Sequence, residues 1–420
     1  MQKYLVGGAV RDTLLGLEPK DRDYVVVGAT PDQMLALGYQ RVGADFPVFL
    51  HPETREEYAL ARTERKSGWG HKGFETSYDP DVSLEDDLVR RDLTINAMAM
   101  DQNGRLIDPH GGADDLRNGV LRAVSGAFAE DPLRVLRIAR FAARYAFTIT
   151  PDTLALCRKI ASSSEFSGLT AERIGGEFLK ALACPYPELF FRSLHEMGAL
   201  SVHFPEISAL LGATQPPEHH PEGDAFEHTM LVLQQAALYS HDVELRFAAL
   251  VHDLGKGTTP RELLPAHHGH EARGVPLVAN LCHRLRLPKI LQQKGQVAAR
   301  YHTHVHRIMD MGASGLARLA AEINAPHSLD NVTLLSSIGM FDQRGRLGRE
   351  QTAYPEAAYF ESVMRAVHNA KFRDRFTSEE IRAMSVERRQ NEIARIRVDA
   401  VKSWLSQIHS EITTEGEMSP

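Results

Sequence analysis

The run Leu5-Val6-Gly7-Gly8-Ala9-Val10-Arg11-Asp12, then Asp21-Arg22-Asp23 opening the apolar stretch Tyr24-Val25-Val26-Val27, decides the fold of the N-terminal part of this 420-residue chain. A glycine pair lets backbone approach a polyphosphate closely. Arg11 offers a planar fork for phosphate oxygens. Asp21 and Asp23 are two apart on an expected strand, so their side chains leave from the same face. Two carboxylates on one face suit Mg²⁺, which binds one or two of them together with substrate phosphates. Two such ions can clamp the attacking and leaving oxygens of an in-line displacement.

Working outward, residues 1–125 read as short strands alternating with helical segments and glycine turns, an α+β or α/β pattern. Strands are expected at Tyr4–Gly7, Asp23–Val27, Phe46–His51, Glu57–Ala61 and Ala97–Met100. From about Asp131 onward the period becomes helical. The proline- and histidine-rich segment 215–223 reads as a linker or surface loop. Of the 20 histidines, 12 fall between His219 and His306. The last ninety residues look like amphipathic helices. The expected domains are therefore 1–125, 126–222, 223–330 and 331–420.

Hydrophobic content of 43% and charged content of 25% describe an ordinary globular protein, and no apolar run is long enough to span a bilayer. The scattered Cys157, Cys184 and Cys282 show no metal or disulfide spacing, which suits a reducing cytoplasm. A net charge of −7 does not advertise a nucleic-acid binder, so any such surface has to concentrate its positive charge locally.

The stretch Glu130-Asp131-Pro132-Leu133-Arg134 supplies that concentration. Asp131-Pro132 reads as a helix start with proline in the first turn. Arg134, Arg137, Arg140 and Arg144 then recur at spacings that stack them on one face, calling for an anionic partner or for acids elsewhere in the chain. Leu133, Leu136 and Phe141 fall off that stripe and can bury. Asp131 and Arg134 could present an acceptor and a donor fork to a nucleobase edge. Residues 90–98, Arg-Arg-Asp-Leu-Thr-Ile-Asn-Ala-Met, bring further charge to the edge of an apolar element.

These motifs together resemble the class of tRNA nucleotidyltransferases shared by bacterial CCA-adding enzymes and poly(A) polymerases. Gly111-Gly112-Ala113-Asp114-Asp115-Leu116 is similar to that family's hinge, and Leu169-Thr170-Ala171-Glu172-Arg173-Ile174 to its helix-supporting motif. The resemblance implies a polymerase-β-like head followed by an all-α neck, an HD domain and a helical tail. It implies that Asp21 and Asp23 hold Mg²⁺, and that Gly8, Arg11 and Arg91 contact the triphosphate. By the same resemblance Asp131 and Arg134 read the base of CTP or ATP, Arg137 and Arg140 line the pocket, and Glu57 is a third carboxylate. The nucleophile would be the 3′-hydroxyl of tRNA, and the protein a cytoplasmic monomer or homodimer. A poly(A) polymerase-like enzyme and an RNA-binding regulator with inactive sites remain the competing readings.

His228 in Phe226-Glu227-His228-Thr229, and His252-Asp253 in Leu250-Val251-His252-Asp253-Leu254-Gly255-Lys256, resemble the HD phosphohydrolases. Histidine and aspartate suit a divalent transition metal that activates water against a phosphate ester. His267, His268 and His270 follow in a turn and are candidates for the same site. A further aspartate is expected in a later helix, and in Tyr301-His302-Thr303-His304 the matching position holds Thr303, a poor metal ligand. His302 or His304 could substitute. An HD domain after a transferase head resembles the multifunctional CCA type, which implies phosphatase, 2′-nucleotidase and 2′,3′-cyclic phosphodiesterase activities with Ni²⁺ or another divalent ion.

Overall fold

A computed structural model describes residues 1–42, 48–66, 74–77 and 80–416, grouped into two compact units, Met1–His203 and Phe204–Pro420.

The first unit is built on a mixed sheet. Its strands are β1 (Gln2–Val6), β2 (Asp23–Val27), β3 (Gln40–Val42), β4 (Val48–Leu50) and β5 (Glu57–Leu60). A separate two-stranded ribbon, β6 (Thr63–Lys66) with β7 (Phe74–Ser77), follows, and β8 (Ala99–Met100) and β9 (Leu106–Ile107) complete the main sheet. The order is β3-β4-β5-β2-β1-β8-β9, with β2 and β5 parallel and the other neighbours antiparallel. The apolar run Val25-Val26 is buried on both faces, as a central strand must be. Val25 packs with Val6, Leu88 and Ala97, while Val26 packs on the opposite side with Met34, Phe49 and Leu60.

Register then places the chemistry. Val6 lies opposite Asp23, and Asp23 lies opposite Glu57, so the Gly7-Gly8 turn and two acids meet at one end of the sheet. The expected strand at Asp23–Val27 is reproduced, but Asp21 sits in the bend before it and is not on the strand. Phe46, from the expected strand at Phe46–His51, lies outside the described residues.

Behind the sheet the unit turns helical. The Arg134–Tyr145 helix buries Val135, Leu136, Ile138, Ala139, Ala142 and Ala143 along one stripe. It begins two residues after the expected start. Asp131 is extended, its carboxylate accepts from Leu133 N (3.1 Å), and Arg134 N bonds its carbonyl (2.9 Å), so Pro132-Leu133 form a turn ahead of the first helical residue. The helix Ala171–Leu182 carries Arg173 and Glu177.

The second unit is helical. The helices Ala225–Tyr239, Val243–Val251, His270–Arg284, Lys289–His306 and Asp330–Arg344 bring the histidines inward. The helices Pro355–Asn369 and Val386–Gly416 pack on a further core containing Leu316, Leu335, Phe360, Val363 and Val401.

Candidate functional site

In the first unit a cavity of about 530 Å³ is lined by Gly7, Gly8, Arg11, Asp23, Arg91, Asp131, Arg134 and Arg137, among others. Six of the seven residues expected to bind nucleotide therefore face one recess, with Asp23. Arg140 is not among the lining residues. Its guanidinium turns to Glu177 (2.5 Å) and lies 4.6 Å from the ring centre of Phe141, which does line the cavity.

Gly7 has a left-handed φ of 67°, and a Cβ there would stand 2.8 Å from Arg91 Nη1. A side chain at this position would push Arg91 aside as well as strain the turn. Asp21, Asp23 and Glu57 line an adjoining recess, which shares Asp23 with the first. Burial raises the Asp23 pKa, Arg91 opposes this, and Asp21 adds to it. A partly buried carboxylate beside a second one is an oxygen donor set that a hard divalent cation relieves, so these residues fit such an ion.

The arginine stripe is less open than its spacing suggests. Arg137 forks onto Asp92 (3.0 and 2.7 Å), Arg140 pairs with Glu177, and Arg144 reaches Asp12 (3.3 Å). Arg134 donates to the carbonyls of Ala127 (2.8 Å) and Arg90 (2.9 Å). Compensation thus comes mainly from acids elsewhere in the chain, and these fix the guanidinium positions before any ligand arrives. Burial works against the Asp92 carboxylate, but Arg137 and Asn96 outweigh it and hold its pKa at about 2.

Arg11 is held in the same way. Its Nε and Nη2 bond Asp12 (2.9 and 2.7 Å) and its Nη1 bonds Asn96 (2.5 Å), over the rings of Phe141 and Tyr145. Two residues to which sequence reading gave no site role, Asp87 and Arg173, set the remaining groups. Buried Asp87 binds Arg90 (2.6 Å) and Arg91 (3.1 Å), bringing both to the cavity wall. Arg173 Nη2 binds both oxygens of Asp131 (2.9 and 2.8 Å) and fixes its plane. Arg173 stood in a quoted motif, whereas Asp87 is one of three acids in the first turn of the Leu84–Val89 helix, and nothing in its spacing singles it out. In the hinge segment, Gly112 packs so tightly that a Cβ would meet the Thr94 carbonyl, and Asp108 accepts from Gly112 N (2.7 Å) and Ala113 N (2.9 Å).

In the second unit His228, His252 and Asp253 converge, all 1% exposed or less. The fourth group is Asp342, and Thr303 faces elsewhere. Asp342 Oδ1 lies 3.1 Å from His228 Nε2, and its other oxygen accepts from His306 (2.7 Å). The expectation that Thr303 holds the aspartate position fails for a geometric reason. His302 and its neighbour Thr303 differ by about 100° around their helix, so when His302 turns inward Thr303 must turn away. Thr303 instead donates to Glu271 (3.0 Å). Asp342 lies 39 positions further on.

The segment 215–223, read as a surface loop, also enters the cluster. Glu222 accepts from His228 Nδ1 (2.9 Å) and His220 Nδ1 (2.8 Å), so a buried carboxylate orients the His228 imidazole. Burial would raise the Glu222 pKa, but these two histidine contacts draw it below its ordinary value. Desolvation would likewise raise the Asp253 pKa, but Lys256 and His252 hold it well below the carboxylate range. Of the other expected candidates, His270 and His302 join the cluster and each lies 3.3 Å from Asp253. His267 bonds the Thr214 carbonyl (3.0 Å), and His304 packs against Tyr301.

The fit to a metal is direct. His252 Nε2 and both Asp253 oxygens are buried without an aligned hydrogen bond. Among the described residues, every group of three or more donors whose ligand atoms fall within 4.8 Å of one another lies in this unit.

Comparison with known proteins adds three family models: the poly A polymerase head domain over residues 3–122, the probable RNA and SrmB- binding site of polymerase A over 146–211, and the HD domain over 225–351. The multifunctional CCA protein of Hahella chejuensis is 54% identical over 367 residues, 87% of each chain. That of Pasteurella multocida is 47% identical over 425 residues, covering 98% of this chain and 99% of its own. The fold is similar to that of the Thermotoga maritima CCA-adding enzyme complexed with tRNA_CCA, with TM-score 0.60 and 20% identity over 97% of this chain and 91% of that one.

Proposed function

Since the chain belongs to the multifunctional CCA protein family, we propose the following assignment of its residues to its work. The protein adds C, C and A to the 3′ end of tRNA from CTP and ATP, releasing pyrophosphate. The observation that carries the assignment is the single cavity that gathers Gly7, Gly8, Asp23, Arg91, Asp131 and Arg134.

Asp21 and Asp23, with Glu57 beside them, would hold Mg²⁺, which neutralises charge developing on the phosphates and steadies the attacking oxygen. Gly8 and Arg91 meet the triphosphate, Arg91 reaching over the side-chain-free Gly7. Arg11 completes that wall, its fork fixed by Asp12 and Asn96. Asp131 and Arg134 read the base edge, one as acceptor and one as donor fork, with Arg173 holding the acceptor still. Arg137 closes the pocket over Asp92, and Arg140 acts through Phe141. Most of the rate comes from positioning, because the reacting groups must be held in line.

In the second unit His228, His252, Asp253 and Asp342 would hold a divalent ion, Ni²⁺ among the candidates, which supplies a water nucleophile for phosphate-ester hydrolysis. Glu222 orients His228, and His306 orients Asp342. The activity is a phosphatase, 2′-nucleotidase and 2′,3′-cyclic phosphodiesterase directed at tRNA ends, in the cytoplasm. We keep 1–125 as head and 126–222 as neck, and extend the HD region beyond the expected 223–330 to residue 351 so that it takes in Asp342, leaving 352–420 as tail.

The test is incorporation of labelled CTP and ATP into tRNA lacking its 3′ CCA, with Mg²⁺, by the intact chain and by Asp21→Ala. Ordered addition of two C and one A, lost in the variant, is expected. Undiminished addition by the variant would overturn the carboxylate assignment.

A further inference from the structure

One cation beside the histidine cluster has donors to spare. Lys256 is fully used, its Nζ bonding Asp253 Oδ2 (2.5 Å) and Gln215 Oε1 (2.6 Å). Arg346 is not. The only hydrogen bond its guanidinium makes among the described residues runs from Nη2 to Asp342 Oδ1, and it is long at 3.4 Å. Its Nε is buried and meets no acceptor. In the head, Arg137 shows a guanidinium fully engaged, with Nε and Nη2 both on Asp92 at 3.0 and 2.7 Å. Arg346 carries the same fork with one prong loosely filled and the other empty, although an unmet buried donor costs free energy.

The backbone nonetheless holds Arg346 at the cluster from both sides. Gly345 ends the helix Asp330–Arg344 against the helix that carries His228. A Cβ on Gly345 would stand 2.5 Å from Val232 Cγ2 and 2.9 Å from Val232 N, so glycine permits the approach. On the other side Leu347 N donates to Glu222 Oε2 (3.4 Å), the carboxylate whose Oε1 accepts from His228. Asp342 Oδ1 is itself 3.1 Å from His228 Nε2, so the guanidinium stands against an oxygen that faces the metal-binding atoms. The Arg346 side chain is 15% exposed, against 7% for Asp342 and 0% for His228, and it lies between those buried groups and solvent. An anchored position, a permanent positive charge and unused donors in that place fit a phosphate oxygen.

We propose that Arg346 binds the phosphate of the ester hydrolysed at the histidine site, and that it favours phosphomonoesters over cyclic diesters. The inference rests on the HD-site reading above and extends it to the substrate. A monoester carries a charge of about −1.5 to −2 at pH 7, and a cyclic diester a single negative charge, so a cation beside the site matters more for the monoester. Lys256 does not supply that charge while Asp253 and Gln215 hold it.

The test compares the full chain with Arg346→Gln and Arg346→Lys, all with saturating Ni²⁺, on a 2′-nucleotide and on a 2′,3′-cyclic nucleotide. In Arg346→Gln, KM for the 2′-nucleotide should rise about tenfold to a hundredfold, as expected for loss of a charge-assisted bond, with a smaller rise for the cyclic ester. Arg346→Lys should recover part of the loss, because the charge remains and the fork does not. Calorimetric titration with inorganic phosphate supplies a readout apart from turnover. The head contributes equally to parent and variant, so binding missing from Arg346→Gln belongs to this site. Elemental analysis should find the same nickel content in all three chains, with matching thermal melting. If melting shows Arg346→Gln to be unfolded, Arg346→Lys carries the same comparison. Equal KM values and equal phosphate binding in parent and variant overturn the proposal. Lower nickel content with KM and phosphate binding unchanged makes Arg346 a positioning residue for Asp342 and overturns it too. An equal rise in KM for both esters overturns the monoester preference. If the parent hydrolyses neither ester, the HD-site reading falls and the phosphate role falls with it.

Discussion

The two regions of charge in this molecule settle their electrostatics in opposite ways. In the head cleft the arginines are paired with the protein's own acids: Arg11 with Asp12, Arg90 and Arg91 with Asp87, Arg137 with Asp92, and Arg173 with Asp131. In the histidine cluster the acceptors Asp253 and His252 Nε2 stay buried without an aligned donor. The first arrangement suits a polyanion that comes and goes, because its cations stay in place without it. The second suits a resident cation, because Lys256 reaches only one oxygen of Asp253 and the other buried donors are left without a counter-charge.

The comparison breaks most sharply at the two sets of carboxylates. Asp23→Ala should abolish nucleotidyl transfer, a loss of at least about a thousandfold in rate, on the scale seen when electrostatic stabilisation of a transition state is removed. Near-normal CTP incorporation by that variant would detach Asp23 from the chemistry. Asp253→Ala should reduce retained metal to background and abolish phosphoesterase activity, measured by elemental analysis and by hydrolysis of a 2′,3′-cyclic nucleotide. If CTP and ATP incorporation fell with it, the independence of the two regions would be lost.

Smaller effects sharpen the contrast. Arg173→Ala removes a charge-assisted bond of about 1.5–3 kcal/mol from Asp131, so discrimination between correct and incorrect nucleotide should fall about tenfold to a hundredfold. Single-nucleotide kcat/KM ratios check this, and unchanged ratios would return Arg173 to a purely structural role. The smallest effect concerns acid stability. Because the folded pKa of Asp92 is drawn down to about 2 from 3.8, its pairing with Arg137 contributes fully above the unfolded value and is lost as pH falls from about 4 toward 2. That is about 2 kcal/mol at neutral pH. In Asp92→Asn the first unit's unfolding midpoint in urea should fall at pH 7, and the difference from the parent should shrink on acidification. A difference that persisted at pH 2 would show that the pair contributes through packing and not charge.

Legibility in the sequence followed the range of the interaction. Local patterns were readable: the Asp23–Val27 strand, the helical stretch after Asp131 and the glycine turn at Gly7 depend on neighbours a few residues away. The arginine stripe was visible as a stripe, but its partners Asp92, Glu177 and Asp12 lie 45, 37 and 132 positions away, so spacing could not show that they were already paired. Thr303 was read as the place of a missing ligand because a motif was extended along one helix. Asp342 stands in a different helix, 114 positions from the His228 it meets. Glu222 escaped notice because a proline-rich stretch looks solvated, whereas its carboxylate points inward.

The sequence by itself determined which chemistries this chain carries, since residue types at short spacing record what a loop or one helical turn presents. It determined the α+β head, the helical remainder and the two sets of metal-binding residue types. The tertiary structure alone decided which atoms face one another: that the cleft's arginines are fixed by buried acids, that Asp342 completes the histidine site, and that the imidazoles of His252, His270 and His302 gather around Asp253. Those outcomes depend on helix rotation and strand register, which are set by packing across the whole core and are written at no single position.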